Sequence, residues 1–172
     1  MQHTQWIFGY GSLINPKSIS DTLDEEKFTY PVRVRGLKRG WYSTDDQYTW
    51  LGVKRSTHDY TNGVIFSVSD DQLYLLDIRE SIYDREIIEN YYIEPILSLL
   101  GEPWKNQKVY VYVSKSNESL NGKPILSSYI NLCLSGTVFQ DKRLLSKEYT
   151  VEFLNNTFNW PKKTEDWIDR KI

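Results

Sequence analysis

Two short stretches carry residue types that could do chemistry. The first is Gly9-Tyr10-Gly11-Ser12-Leu13. Two glycines directly after a β-prone run allow backbone conformations closed to other residues. Successive N–H groups in such a turn can point inward and hold an anion. The spacing is not a phosphate loop, since no Gly-Lys-Ser/Thr follows, and not a dinucleotide fingerprint, since a third glycine and a βαβ unit are missing. A tight structural turn is the competing reading. The second stretch is Asp77-Ile78-Arg79-Glu80-Ser81-Ile82-Tyr83-Asp84-Arg85. Charges grouped at a helix end usually form a solvated ion-pair face worth only about a few tenths of a kcal/mol. Glu80 stands out by position: a carboxylate at the end of a helix, with Tyr83 and Arg85 close behind.

Other reactive types are sparse. His3 and His58 are the two histidines and belong to no metal-ligand spacing, so no metal is expected. Chain order permits a Ser12–His58–Asp triad, but no motif supports one. Cys133 falls on the apolar face of a predicted helix, where a buried, inert thiol is expected. Tyr110 and Tyr112 alternate as cross-strand packing residues do. Arg33, Arg35, Lys38 and Arg39 form a basic strip that a nucleic acid could use, although a solvated strand face explains it as well.

The elements that must position these residues follow from periodicity and punctuation. Trp6–Tyr10 is β-prone and ends at a glycine turn, and Val32–Gly36 alternates with period two. Trp50–Lys54 is a further strand. Asn62-Gly63 marks a turn into a fourth, Val64–Val68. Ser69 caps a helix, with Gln72 completing a capping box and Asp70 and Asp71 suiting the helix dipole. That helix buries Leu73 and Leu76 and ends near Arg79-Glu80. Arg85–Glu89 is ambiguous between strand and helix. Lys108–Val113, alternating Val and Tyr, is the strongest strand signal. Ser128–Leu134 reads as a helix carrying Tyr129, Leu132 and Cys133, with Gly136 as its stop. Ser146 caps a second late helix with Tyr149, Phe153 and Leu154 on one face. The polar tail from Trp160 packs through Trp160 and Trp167. Strands first and helices later make the class α+β.

Composition bounds the rest. The chain has 172 residues, 40 % of them apolar, including 13 Tyr, 6 Trp and 6 Phe. This fits one domain spanning 1–172 with a helical C-terminal tail from about 140, and the aromatic content excludes a disordered chain. A net charge of −2 lacks the basic excess of a dedicated nucleic-acid binder. A single cysteine excludes an internal disulfide framework and points to a reducing, cytoplasmic setting. No apolar run approaches the roughly 18 residues of a membrane span, and the N-terminus shows neither basic leader nor apolar core, so no signal peptide is expected. Asn117-Glu118-Ser119 fits the glycan acceptor pattern but is expected to stay unmodified.

Taken together, Phe8-Gly9-Tyr10-Gly11-Ser12-Leu13, Leu76-Asp77-Ile78-Arg79-Glu80 and Tyr83-Asp84-Arg85 resemble the γ-glutamylcyclotransferase family. That family includes γ-glutamylamine cyclotransferases, AIG2-like plant proteins and ChaC-type glutathione-specific enzymes. Pro124-Ile125-Leu126-Ser127-Ser128-Tyr129, followed by Leu132 and Gly136, is similar to a segment before the family's late helix. Leu13 is shared with the ChaC-type enzymes, whereas Tyr83-x-Arg85 looks more like the γ-glutamylamine branch. The resemblance spans most of residues 6 to 138.

The resemblance implies a small mixed β-barrel flanked by helices, and a reaction. The α-amine of a γ-glutamyl group attacks its own side-chain carbonyl, giving 5-oxoproline and a free amine or amino acid. Glu80 is implied as general acid/base, with Tyr10, Gly11, Ser12, Leu13, Tyr83 and Tyr129 binding substrate. A partly buried Glu has the raised pKa that suits both roles. No metal or cofactor is implied. The expected partner is a small γ-glutamyl compound, not a nucleic acid or membrane, with the chain a monomer or weak dimer. The alternative is the same fold used as a non-catalytic ligand- or protein-binding module.

Overall fold

The computed structural model describes residues 3–115 and 123–160, with backbone alone at 167–168. Strand β1 (Gln5–Gly9) alternates between two faces, sending Ile7 to one core and Trp6 and Phe8 to another. Its neighbours are β3 (Thr49–Val68), antiparallel, and β6 (Val109–Ser114), parallel. β3 also pairs with the long β2 (Tyr30–Thr44), and β6 with β4 (Tyr83–Ile88). β2 carries the short β5 (Ile93–Pro95) and, in parallel, β8 (Thr157–Phe158). The order is β4-β6-β1-β3-β2-β5, with β8 off this path on β2, which makes a mixed seven-stranded sheet. The two ends of the path do not pair among the described residues, so the sheet is open where a barrel was expected. The three-residue β5 is too short to extend a ring. A second, two-stranded sheet joins β7 (Ile125–Leu126) to the backbone of β9 (Trp167–Ile168).

Four helices cover the Ile7 face: α1 (Pro16–Leu23), α2 (Asp70–Arg79), α3 (Ser127–Leu144) and α4 (Glu148–Asn155). They contribute Ile19 and Leu23, Leu73 and Leu76, Ile130 and Cys133, and Tyr149 and Phe153 to one core. Leu76 is fully buried, a burial worth about 2 kcal/mol. The other core is drawn almost wholly from strands, among them Val32, Val53, Ile65 and Val111, and closed by buried Trp104.

The capping box of α2 forms as expected. Gln72 N–H donates to Ser69 Oγ at 3.2 Å, and Ser69 N–H donates to Gln72 Oε1 at 3.0 Å. Arg85–Glu89, ambiguous from sequence, is mostly strand β4. Several expectations are corrected. Asn62-Gly63 is no turn, because β3 runs straight through it. The pairing of β2 with β3 instead slips at residues 56–59, opposite Gly36, whose φ is +86°. Gly136 does not stop α3. A Cβ there would lie 2.7 Å from the Asn15 backbone nitrogen, so this glycine lets the helix close onto the turn before α1. Leu154 faces solvent rather than sharing the face of Tyr149 and Phe153. Helix α1 was not read from sequence. It is started by Asn15, whose Oδ1 accepts from Lys17 N–H at 3.0 Å, and by Pro16 in the first turn. Asn117-Glu118-Ser119 and the Trp167 side chain lie outside the described residues. No helix among the described residues is long and apolar enough to cross a membrane.

Candidate active site

The Tyr10–Leu13 stretch leaves β1 and winds into a single 3-10 turn, Ser12–Ile14. The first hydrogen bond of the turn runs from Ile14 N–H to Gly11 O at 3.0 Å. The amides of Gly11, Ser12 and Leu13 precede that bond, so the turn offers them no intrahelical acceptor. Three successive amides thus stand at the head of the turn without an acceptor inside it.

Helix α2 brings Glu80 to the same place. Glu80 caps the helix C-terminus, its N–H donating to Leu76 O at 2.8 Å and its carbonyl accepting from Tyr83 N–H at 2.9 Å. Its side chain is 14 % exposed. Burial pushes its carboxyl above the usual range, and the Arg79 guanidinium pulls it partly back. Asp77, one turn earlier, has partners of its own. It accepts from Tyr112 Oη–H at 2.9 Å and from Arg85 Nη1–H at 2.7 Å, fastening α2 to β4 and β6. The ion-pair reading of the Asp77–Arg85 stretch thus holds for Asp77 and Arg85, while Glu80 is held apart from it at the cleft.

Glu80 and the Gly11–Ser12–Leu13 turn line one small cleft of about 30 Å³, which Tyr10, Tyr83 and Tyr129 also border. All seven residues singled out from sequence meet there. Their contacts differ. Tyr10 is buried, and its hydroxyl donates to Tyr112 O at 2.6 Å. Tyr83 donates to Leu51 O at 2.5 Å. Tyr129, in the first turn of α3, places its hydroxyl over Gly11, where a Cβ would come within 3.2 Å of it. Burial raises all three phenols well above their ordinary value, so they stand as neutral hydroxyls.

Three comparisons bear on this arrangement. No family model and no curated protein matches the sequence. Among solved structures, one described as gamma-glutamyl cyclotransferase superposes with a TM-score of 0.64 at 16 % identity, covering 94 % of this chain and 93 % of that one. The chain has the γ-glutamylcyclotransferase fold. An uncharacterized protein from Homo sapiens also gives a TM-score of 0.64 at 16 % identity, covering 93 % of this chain and 92 % of its own. A yeast γ-glutamyl cyclotransferase specific to glutathione gives 0.50 at 14 % identity, covering 90 % and 97 %.

Within this fold three residues at the cleft were not singled out from sequence. Leu51 and Tyr112 line it, and their local signal was only that of strand residues. Arg79 was read only as part of the charged stretch. Its Nη2 donates to Ser12 Oγ at 2.8 Å, while its Nε lies 3.3 Å from Glu80 Oε1. One guanidinium thus spans the two motifs.

The remaining candidates fall elsewhere. His58 borders a separate surface groove with Arg35 and Arg55, away from Ser12. Cys133 is buried, and desolvation pushes its thiol up to about 12. The basic strip is dispersed: Arg33 pairs with Glu152 at 2.6 Å, Arg35 donates to Tyr91 O, and Arg39 is fully buried. No group of three or more His, Cys, Asp or Glu among the described residues could hold a metal ion.

Proposed function

We propose that this chain is a γ-glutamyl cyclotransferase. The observation that carries the reading is the shared cleft, in which a shielded carboxylate and a turn whose leading amides have no intrahelical acceptor are joined by one guanidinium. The α-amine of a γ-glutamyl group attacks its own γ-carbonyl carbon. A ring C–N bond forms, the bond to the leaving nitrogen breaks, and one proton passes from the attacking nitrogen to the departing one. No water or cofactor enters the balance. Glu80 takes the proton and returns it, a service worth about 10²–10⁴-fold. Its raised pKa brings it closer to the pH at which it must both accept and release. The amides of Gly11, Ser12 and Leu13 hold the oxygen on which charge develops, or the α-carboxylate of the substrate. Holding the glutamyl chain folded supplies the rest, since oriented reactants gain up to about 7–11 kcal/mol.

The experiment is 5-oxoproline release from γ-glutamyl dipeptides, glutathione and γ-glutamyl amines. Glutathione is in the panel because one structural neighbour is described as specific to it. Release by the wild type that collapses in Glu80→Gln supports the reading, and the preferred compound names the substrate class. Saturable binding of the same compounds without release would replace it with a binding module.

A further inference from the structure

Arg79 has donors for a substrate anion in principle, and its place beside the cleft makes that role the obvious one. The hydrogen-bond geometry assigns it another. Nη1 donates to Thr22 Oγ1 at 2.8 Å and Ser18 O at 3.2 Å. Nη2 donates to Ser12 Oγ at 2.8 Å and Ser18 Oγ at 3.0 Å. Each terminal nitrogen carries two hydrogens and has two acceptors, so both are filled, while Nε lies 3.3 Å from Glu80 Oε1 as an ion pair.

We propose that Arg79 is the positioning residue of this cleft: it clamps the Ser12 hydroxyl and the Glu80 carboxylate into one frame anchored on α1, and does not grip substrate. This rests on the cyclotransferase reading for what the frame is used for, but not for the frame itself. Two consequences follow for the chemistry. Ser12 Oγ accepts from Arg79, so its own hydrogen is turned elsewhere and stays available as a donor. The substrate carboxylate then falls to the amides of the turn, because both terminal nitrogens of the guanidinium are filled.

The clamp has an electrostatic signature. The titratable groups around Glu80 are Arg79 and four phenols: Tyr10 beyond β1, Tyr83 on β4, Tyr112 on β6 and Tyr129 on α3. The phenols are all raised and therefore neutral. Arg79 is the charge that opposes the burial of Glu80.

The test compares Arg79→Gln and Arg79→Lys with the wild type. The primary readout needs no turnover: titration of the Glu80 carboxyl by carbon NMR on glutamate-labelled protein, the resonance assigned by its loss in Glu80→Gln. In Arg79→Gln this titration is expected to move up by about one pH unit. Under the cyclotransferase reading, kcat falls by about 10²-fold with a much smaller change in KM. Arg79→Lys, which keeps the charge and loses the fork, is expected to leave the titration near the wild-type position and recover part of kcat. An unchanged Glu80 titration in folded Arg79→Gln overturns the proposal, and so does a rise in KM with kcat intact, which would make Arg79 a substrate grip. If Arg79→Gln does not fold, Ser18→Ala with Thr22→Val loosens the clamp from outside the cleft. An upward drift of the Glu80 titration there supports the proposal, and none overturns it. Absence of turnover on every γ-glutamyl compound would remove the cyclotransferase reading while the titration still decides the role of Arg79.

Discussion

Two arginines reach the Tyr10–Leu13 turn, and they are held in opposite ways. Arg39 is fully buried and has no carboxylate partner among its hydrogen bonds. It donates to the carbonyls of Tyr10, Asn62 and Phe153, to Asn62 Oδ1 and to Thr157 Oγ1, and lies 3.9 Å over the Phe153 ring. Desolvation lowers its pKa to about 10, which still leaves it charged at neutral pH. Arg79 is partly exposed; its terminal nitrogens donate to three hydroxyls and the Ser18 carbonyl, and its Nε pairs with the Glu80 carboxylate. Arg39 meets mostly carbonyl oxygens and ties β1 to the C-terminal elements α4 and β8. Arg79 meets groups that could take part in a reaction. The contrast teaches that a charge surrounded by backbone dipoles builds a frame, whereas a charge set against one carboxylate tunes a proton.

Breaking the frame should have the largest effect. Arg39→Met strands several buried acceptors, each costing about 1–3 kcal/mol. A loss of at least about 3 kcal/mol in urea denaturation is expected, with any activity lost through the fold. A small loss would mean that the network merely fills space.

Glu80→Gln sharpens the contrast by removing chemistry and sparing the fold. Cyclisation is expected to fall by about 10²–10⁴-fold. Stability should change in the opposite sense. Because the folded pKa of Glu80 is raised, the group favours the folded state fully below its unfolded pKa, and that contribution is lost as pH rises through the folded value. Glu80→Gln should therefore flatten the decline of stability with rising pH across that window, measured as urea midpoints between about pH 4 and pH 8. An unaltered profile would show that the carboxyl is not strained by burial.

A smaller effect belongs to the cleft wall. The Cβ of Gly11→Ala would crowd the Tyr129 hydroxyl at 3.2 Å. A drop of roughly tenfold in kcat/KM is expected, a misplacement smaller than that of a lost catalytic group. Combining it with Tyr129→Phe should be less than additive, since the crowded atom is gone. Additive losses would place the clash elsewhere. The smallest effect is at Cys133, whose thiol at about 12 lies far above neutral pH. Native protein should resist iodoacetamide at pH 8 while the unfolded chain is labelled.

What could be read in the sequence was local. The Ser69–Gln72 box and the Leu73/Leu76 stripe lie within one helix, and both appear as expected. The open sheet and the continuous β3 were not legible. Asn62 reads as a turn residue, but its side chain is taken by Arg39 and by Tyr149 O, respectively 23 and 87 positions away. Gly136 reads as a helix stop because its real reason, the approach of Asn15, is a contact across the fold. At the cleft the two motifs were visible but not their link. The Arg79 acceptors Thr22 and Ser12 stand 57 and 67 positions earlier, so the residue could only look like part of a charged surface.

One wall of the cleft has a spectroscopic consequence. The Tyr129 ring meets Trp50 at 4.9 Å and Trp41 at 6.0 Å, and Trp41 in turn meets Trp160 at 5.4 Å. Trp6 and Trp104 sit in the other core. Indole emission follows local polarity, so a compound that displaces solvent beside Tyr129 changes the light from one group of tryptophans and leaves the other as an internal reference. The molecule carries an unlabelled optical gauge of cleft occupancy.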